Sequence, residues 1–186
     1  QYAEGQVTSR AALTPEMKLT VKAVKKAVRF LKKQNAKKIN GYYYGIVHPD
    51  CSYDLTEDAR WIDAVKYKNP ERIYNGEIGE IEGARFVETT EAKIWAKAGA
   101  AKSTSDTTKI DVYGTLIFGA NAYATTKIEG GGLKTIIKQL GSAGTGDPLD
   151  QRATVGWKAL KVTEILTEAY MIRIETASTF SDGEAN

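Results

Sequence analysis

Thr14-Pro15-Glu16-Met17-Lys18-Leu19-Thr20-Val21-Lys22-Ala23-Val24-Lys25-Lys26-Ala27-Val28-Arg29-Phe30-Leu31-Lys32-Lys33-Gln34-Asn35-Ala36-Lys37-Lys38-Ile39-Asn40-Gly41 runs straight into Tyr42-Tyr43-Tyr44-Gly45-Ile46-Val47-His48-Pro49-Asp50. Thr14 can cap a helix, and Pro15 has a favourable φ for the first helical position. Glu16 would meet the positive end of the helix dipole. Met17, Val21, Val24, Val28 and Leu31 then recur with 4-3-4-3 spacing. That predicts a helix of about five turns with one apolar stripe. Asn40-Gly41 ends it. Tyr42 to Val47 is aromatic and β-branched and predicts a buried strand, broken by His48-Pro49-Asp50.

Charge is unevenly distributed around this stretch. Lys18 to Lys38 holds nine basic residues and no acidic one. The remainder has 17 basic against 23 acidic residues, a balance of −6 under a total of +3. A basic helix on an acidic body points to contact with a polyanion or with an acidic surface of another copy. Lys22, Lys25, Lys26, Arg29, Lys32 and Lys33 are the candidate electrostatic contacts. A plain solvated helix face is the simplest reading, and a nucleic-acid-binding module built on helix 15–38 is the rival one. Phe30 is the only aromatic on the helix, so base stacking there is not expected. The Val-rich stripe suits packing on a sheet better than lying on a membrane.

Outward from here, Asp54 or Thr56 can cap a second helix reaching about Val65, and Asn69-Pro70 starts another turn. Gly76 to Gly83 is glycine-punctuated, and Ala84 to Thr89 predicts a strand. Residues 97–108 are small and polar, as in a surface loop. Asp111 to Ala120 fits either element; the expectation is a short helix capped by Asp111, then a strand over Ala122 to Ile128. Gly130-Gly131-Gly132 marks a turn, Leu133 to Leu140 a strand, and Gly141 to Pro148 a loop. Gln151 to Val162 and Tyr170 to Thr176 predict two long strands joined by a turn. Helices mixed with unevenly spaced strands argue for an α+β fold over a doubly wound sheet.

The length of 186 residues suits one domain or two small lobes. No stretch approaches the roughly 20 apolar residues of a membrane helix, so no membrane partner is expected. Gln1 to Arg10 has no apolar core of a signal peptide. A chain starting at Gln1 instead of Met reads as a trimmed form.

Catalytic constellations are thin. His48 is the only histidine and Cys51 the only cysteine, three residues apart across a proline. Near neighbours in sequence seldom give thiolate–imidazole geometry, and a metal would need further nitrogen or sulfur ligands. Gly141 to Gly146 superficially resembles a dinucleotide loop, but Asp147-Pro148 follows where a helix is required. Glu77, Glu80 and Glu82 suit a subunit-contact edge better than an acid/base pair. No cofactor is expected. A hydrolase using Asp or Glu would need a deep pocket with converging carboxylates. Trp61, Trp95, Trp157 and ten tyrosines are core by default, with some at interfaces.

Five segments in order carry a resemblance: Tyr42 to Asp50 behind the basic helix; Trp61 and then Tyr74 to Thr89; Phe118-Gly119-Ala120-Asn121-Ala122-Tyr123; Asp147-Pro148-Leu149-Asp150-Gln151-Arg152-Ala153-Thr154-Val155-Gly156-Trp157-Lys158; and Tyr170 to Glu175. Over about residues 14–178 they resemble the major capsid proteins of tailed bacteriophages, in the branch with certain large podophages and many prophages. The resemblance implies the Hong Kong-type capsid fold. Residues 14–41 (spine helix) and 149–178 (β-ribbon) would form a peripheral lobe, 42–148 an axial lobe, and 1–13 and 179–186 flexible ends. The N-terminal arm and extended loop would be missing, as in a truncated form. It also implies a structural protein, not an enzyme. Its first partner would be itself, in hexamers and pentamers of an icosahedral shell. Scaffold or portal proteins and non-specific packaged double-stranded DNA would be further partners. Location would be the virion, and the host bacterial cytoplasm during assembly. Glu77, Arg85, Arg152 and Trp157 are the candidate subunit contacts.

Overall fold

The computed structural model describes residues 1–62, 79–126, 131–142 and 144–181. The turn expected at Asn69-Pro70, the end of the second helix near Val65, and Glu77 lie outside the described residues.

The first helix, α1, spans Val21–Lys33, about 20 Å, and so starts a turn and a half later than expected. Thr20 is its cap: its backbone is extended and its hydroxyl accepts from the Ala23 amide at 3.2 Å. The Asp58 carboxylate takes the Val21 amide at 2.9 Å. Thr14 instead closes a tight turn, the Met17 amide donating to its carbonyl at 3.0 Å. Wholly buried Leu19 follows, and the chain must stay extended to deliver it to the core. At the other end Asn35 takes a left-handed φ of 57°. The amides of Asn35 and Ala36 cap the carbonyls of Lys32 and Leu31, so the helix ends there and not at Asn40-Gly41. Asn40 and Gly41, both at positive φ, make a two-residue turn between Ile39 and Tyr42.

Strand β1 is Tyr43–Val47, as expected. His48-Pro49-Asp50 ends it by starting helix α2, Pro49–Thr56, with Pro49 in the first turn and His48 as cap. Asp54 and Thr56 therefore lie inside or at the end of a helix they were expected to open. Residues 59–62 turn again as helix behind Asp58. Strands β2 (Glu80–Ile81) and β3 (Ala84–Glu88) form a hairpin whose turn, Glu82-Gly83, has positive φ at both positions. After β4 (Ile94–Trp95) and the exposed loop, β5 spans Val112–Phe118. The helix expected over Asp111 to Ala120 is thus a strand. Two buried faces remove the alternation that would have declared it, and tertiary pairing overrides the local reading.

Strand order is β10-β5-β1-β3-β2, with β4 also on β5 and β10 at Met171–Thr176. β1 and β3 are parallel; the other pairs are antiparallel. Opposed residues share a face. One face therefore carries Tyr43, Phe86, Tyr113, Ile117 and Ile174, all buried in the core with α1 and with Cys51 and Leu55 of α2. α1 packs on β10 and β5 through Val24, Ala27, Val28 and Leu31. The basic helix and the last strand, far apart in sequence, thus meet in one core.

Gly45 lies under the Phe86 ring; a Cβ there would sit 2.6 Å from two ring carbons. The opposite face is covered at one end by the first residues of the chain. Expected as a loose end, they are tied down: Ala3 and Leu13 are buried with Val112, and the Ala3 amide donates to Glu175 O at 2.7 Å. There Arg10 clasps buried Glu175 with two bonds (2.6 and 3.0 Å), Arg173 adds a third at 2.8 Å, and Arg10 stacks 3.8 Å over Trp95. The tail returns likewise, with Thr179 bonded through its amide and hydroxyl to Asp54.

The chain divides into two compact units, residues 1–122 with 167–186, and residues 123–166. These boundaries differ from the lobe limits expected at 41/42 and 148/149. The second unit is an antiparallel excursion. β6 (Tyr123–Thr125) pairs with β9 (Thr163–Ile165), and β7 (Lys134–Lys138) with β8 (Thr154–Lys158). The strand at Thr154–Lys158 therefore pairs with β7 and not with the last strand, which takes β5 as its partner.

Burial alone would raise the Glu175 pKa, but the two guanidinium groups outweigh it and hold it below its ordinary value. A folded pKa below the unfolded one stabilises above the unfolded pKa, and that stability is lost as pH falls through the folded value. Glu175→Ala is expected to cost about 2–3 kcal/mol in urea melts at pH 7, less than a fully buried pair because water reaches both arginines. Glu175→Gln should flatten the acid limb of stability against pH. A second expectation concerns packing: Gly45→Ala should cost about 1–3 kcal/mol, with partial recovery when Phe86→Leu relieves the clash.

Candidate assembly surfaces

The six α1 cations divide into two groups. Lys22 pairs with Glu4 at 2.6 Å, Lys25 with Glu82 at 3.4 Å, and Lys26 donates to the Glu4 carbonyl. The bond from Lys22, with help from Thr20, holds the Glu4 carboxyl below its ordinary value. Arg29, Lys32 and Lys33, towards the helix C-terminus, are exposed and have no ion-pair partner among the described residues. Lys25, Lys26, Arg29 and Lys32 border a shallow groove of about 430 Å³ with Val28 and Glu82. Half of the helix cations are thus engaged within the chain, which weakens the reading of helix 15–38 as a free polyanion-binding face.

Arg85 stands exposed on β3, on the sheet face away from the helices. Tyr44, Ile46, Leu116 and Met171 share that face half-buried, with exposed Val87 beside them. Arg85 and this apolar strip form one candidate surface.

Trp157 and Arg152 lie in the excursion. Arg152 has an exposed side chain, and its amide donates to buried Asp147 at 2.7 Å. That carboxylate builds the glycine-rich tip by taking a backbone amide, as a turn residue does. Trp157 opposes Thr135 and Val155 opposes Ile137, so both pairs share one face, on which Leu133 continues the alternation. Their exposure is high: Leu133 73%, Ile137 63%, Val155 76% and Trp157 75%. The other face carries Lys134 opposite Lys158, Ile136 opposite Gly156, and Lys138 opposite Thr154. The excursion is thus a ribbon with one apolar and one cationic side. The alternation in Leu133-Lys134-Thr135-Ile136-Ile137-Lys138 encodes it; reading 133–140 and 151–162 as separate strands hid the pairing. The Arg10–Glu175–Arg173 clasp had no local signal, because Arg10 lies 165 positions from Glu175.

The chemically reactive groups are locked in packing. His48 Nδ1 accepts the Asp50 amide at 3.3 Å, and its ring lies 5.2 Å from that of Tyr113. Burial, then the contact with Asp50, pushes the Tyr113 pKa up. Cys51 has Thr176 as its hydrogen-bond partner at 3.8 Å, and burial pushes its thiol up to about 12. Among the described residues no group of three or more His, Cys, Asp or Glu could hold a metal ion, and no helix is long and apolar enough to cross a membrane.

The mixed α+β fold is similar to that of tailed-phage capsid proteins of the Hong Kong type. The chain is similar to the capsid of Ralstonia phage GP4, with a TM-score of 0.67 at 16% identity over 100% of this chain and 53% of that one. It is also similar to the cyanophage Pam1 capsid (0.68, 12% identity, 92% of this chain and 50% of that one). The acidic stable capsid of Helicobacter pylori bacteriophage KHP30 matches at 0.59 and 12% identity, over 91% of this chain and 62% of that one. The chain therefore spans about half to three-fifths of the solved capsid chains it matches. No curated protein matches it. Residues 3–140 match the family described as phage capsid protein, and the chain belongs to that family.

The Cys51 geometry has a direct chemical consequence. The thiol is expected to ignore a disulfide reagent at pH 8 in the folded protein and to react stoichiometrically in 6 M guanidinium, followed by absorbance of the released thiolate.

Proposed function

We propose that the protein containing this chain is a major capsid protein. Copies would assemble into hexamers and pentamers of an icosahedral shell, becoming part of the virion after assembly in the host cytoplasm. Its role would be mechanical and not catalytic. The observation that carries this reading is the ribbon. Four large apolar side chains on one of its faces are mostly open to water, a poor arrangement for a lone soluble chain and an ordinary one for a surface covered in an assembly. The half-buried strip beside Arg85 supports it from the other unit.

The lobe assignment is revised within the same proposal. α1 is about 20 Å long and shares a core with most of the residues expected in the axial lobe, so residues 1–122 with 167–186 would be the axial lobe. Residues 123–166 would be the β-ribbon of the peripheral lobe. Arg85, Arg152 and Trp157 would be contact residues, and Arg29, Lys32 and Lys33 would meet acidic patches of a neighbour. Scaffold and portal proteins would be further partners.

Expression of the full-length protein, followed by negative-stain electron microscopy, tests the reading. Closed shells or capsomers are expected, and Trp157→Asp with Ile137→Asp should abolish them while leaving the secondary structure intact by circular dichroism. A full-length protein that remains monomeric under every assembly condition would sink the proposal. Normal shells from the double variant would remove the ribbon from it.

A further inference from the structure

The cationic side of the ribbon contains an arrangement that is unfavourable in isolation. Lys134 and Lys158 are directly opposed on adjacent strands, and like charges in that position repel. Lys138 stands on the same face, four residues along, roughly 13 Å away. Among the described residues none of the three has an ion-pair partner. The arms that build this part of the ribbon, residues 131–142 and 151–161, hold five basic residues and no acidic one. The one carboxylate of the tip that is buried, Asp147, is already taken up by the Arg152 amide. Between the lysines lie only Ile136 and Gly156, and Gly156 has nothing within 4 Å of where a Cβ would be. The face is therefore low in relief, and a rod can lie across it.

We propose that this face, Lys134, Lys138 and Lys158, is a sequence-independent binding surface for the phosphate backbone of duplex nucleic acid. Several ammonium groups fixed on a flat, carboxylate-free plate suit a partner of dense and regular negative charge, and phosphates supply one charge per about 1.7 Å of duplex axis. A phosphate between Lys134 and Lys158 turns their repulsion into attraction for a shared anion. An acidic protein surface fits less well. Among the described residues the exposed carboxylates, such as Glu57, Glu88, Glu91 and Asp106, are distributed over separate loops and strands, which suits single contacts better than a row of opposed lysines. Apolar and cationic sides also suit different neighbours: protein on the first, nucleic acid on the second. The binding surface thereby moves from the basic helix, whose lysines are half engaged, to the ribbon.

The inference goes beyond shell assembly and is tested in solution, so its failure leaves the capsid reading standing. The probe is a fluorescent 30-base-pair duplex of random sequence, titrated with the 186-residue chain between 50 and 200 mM salt by anisotropy. Lys134→Gln/Lys138→Gln/Lys158→Gln is compared with Arg29→Gln/Lys32→Gln/Lys33→Gln, which removes the same charge from α1. All six positions are exposed, and circular dichroism checks that both variants keep the fold. The ribbon variant is expected to bind at least tenfold more weakly at 100 mM salt. Its log–log salt slope should fall by about 2 to 3, near 0.9 per lost phosphate contact. The helix variant should change both much less. Equal losses in the two variants, loss in the helix variant alone, no duplex binding at 50 mM salt, or polyglutamate competing as well as duplex charge for charge would each overturn the proposal.

Discussion

Burial of one helix stripe against two strands far away in sequence is the constraint from which the rest follows. Val24, Ala27, Val28 and Leu31 of α1 are nearly free of water only because β5 and β10 lie beneath them. Each such side chain stabilises by roughly 1.5–3 kcal/mol when fully buried. The requirement brings β10 beside α1 and has the chain leave and re-enter the sheet between β5 and β10. The bond from the Ala177 amide to the Met17 carbonyl, at 3.0 Å, and the clasp of Glu175 by Arg10 then tie both chain ends to the same strand. An edge strand with free amides and carbonyls would invite foreign pairing. Here the first three residues occupy part of that edge.

The departure between β5 and β10 explains the ribbon. A chain that leaves the sheet at Ala122 and returns at Thr167, whose amide bonds to the Ala122 carbonyl at 3.3 Å, must spend the residues between on something other than the main core. Antiparallel pairing satisfies their backbone groups cheaply, but a two-stranded ribbon has two faces and no interior. Side chains on it are exposed unless something outside the ribbon covers them. Leu133, Ile137, Val155 and Trp157 are thus exposed by pairing geometry first: the fold produces the open face, and the proposed shell assembly would explain why it is apolar.

Legibility in the sequence followed the distance over which each decision is made. The β1 strand, β3, β7 and β10 were readable because period-2 patterns and turn residues act within a few positions. The start of α1 was not, because Thr14 and Thr20 are both competent caps and the choice was made by burial of Leu19 and by Asp58, a carboxylate 37 positions from the amide it accepts. β5 failed for a different reason. A strand buried on both faces loses alternation, and Val112-Tyr113-Gly114-Thr115-Leu116-Ile117-Phe118 reads equally well at helical spacing until its neighbours are known. Among the candidate contact residues, Arg85, Arg152 and Trp157 are exposed. The charge count of α1 misled, because Glu4 and Glu82 arrive from elsewhere to engage Lys22 and Lys25.

That last point bears on how charge should be read in this chain. A run of nine basic residues dominates the composition, yet a helix amid acidic loops can be neutralised by its own chain, and surface pairs of this kind contribute little beyond that. A cross-strand pair of lysines is weaker in count and stronger in implication. Its geometry is fixed by the ladder register, its repulsion cannot be relaxed by choosing another rotamer as fully as on a helix, and no acidic residue lies on either arm. Fixed, unpaired charge tolerated at a cost is better evidence for an external anion than abundant charge already balanced. On that criterion the ribbon, and not the helix, is where this chain is built to meet phosphate.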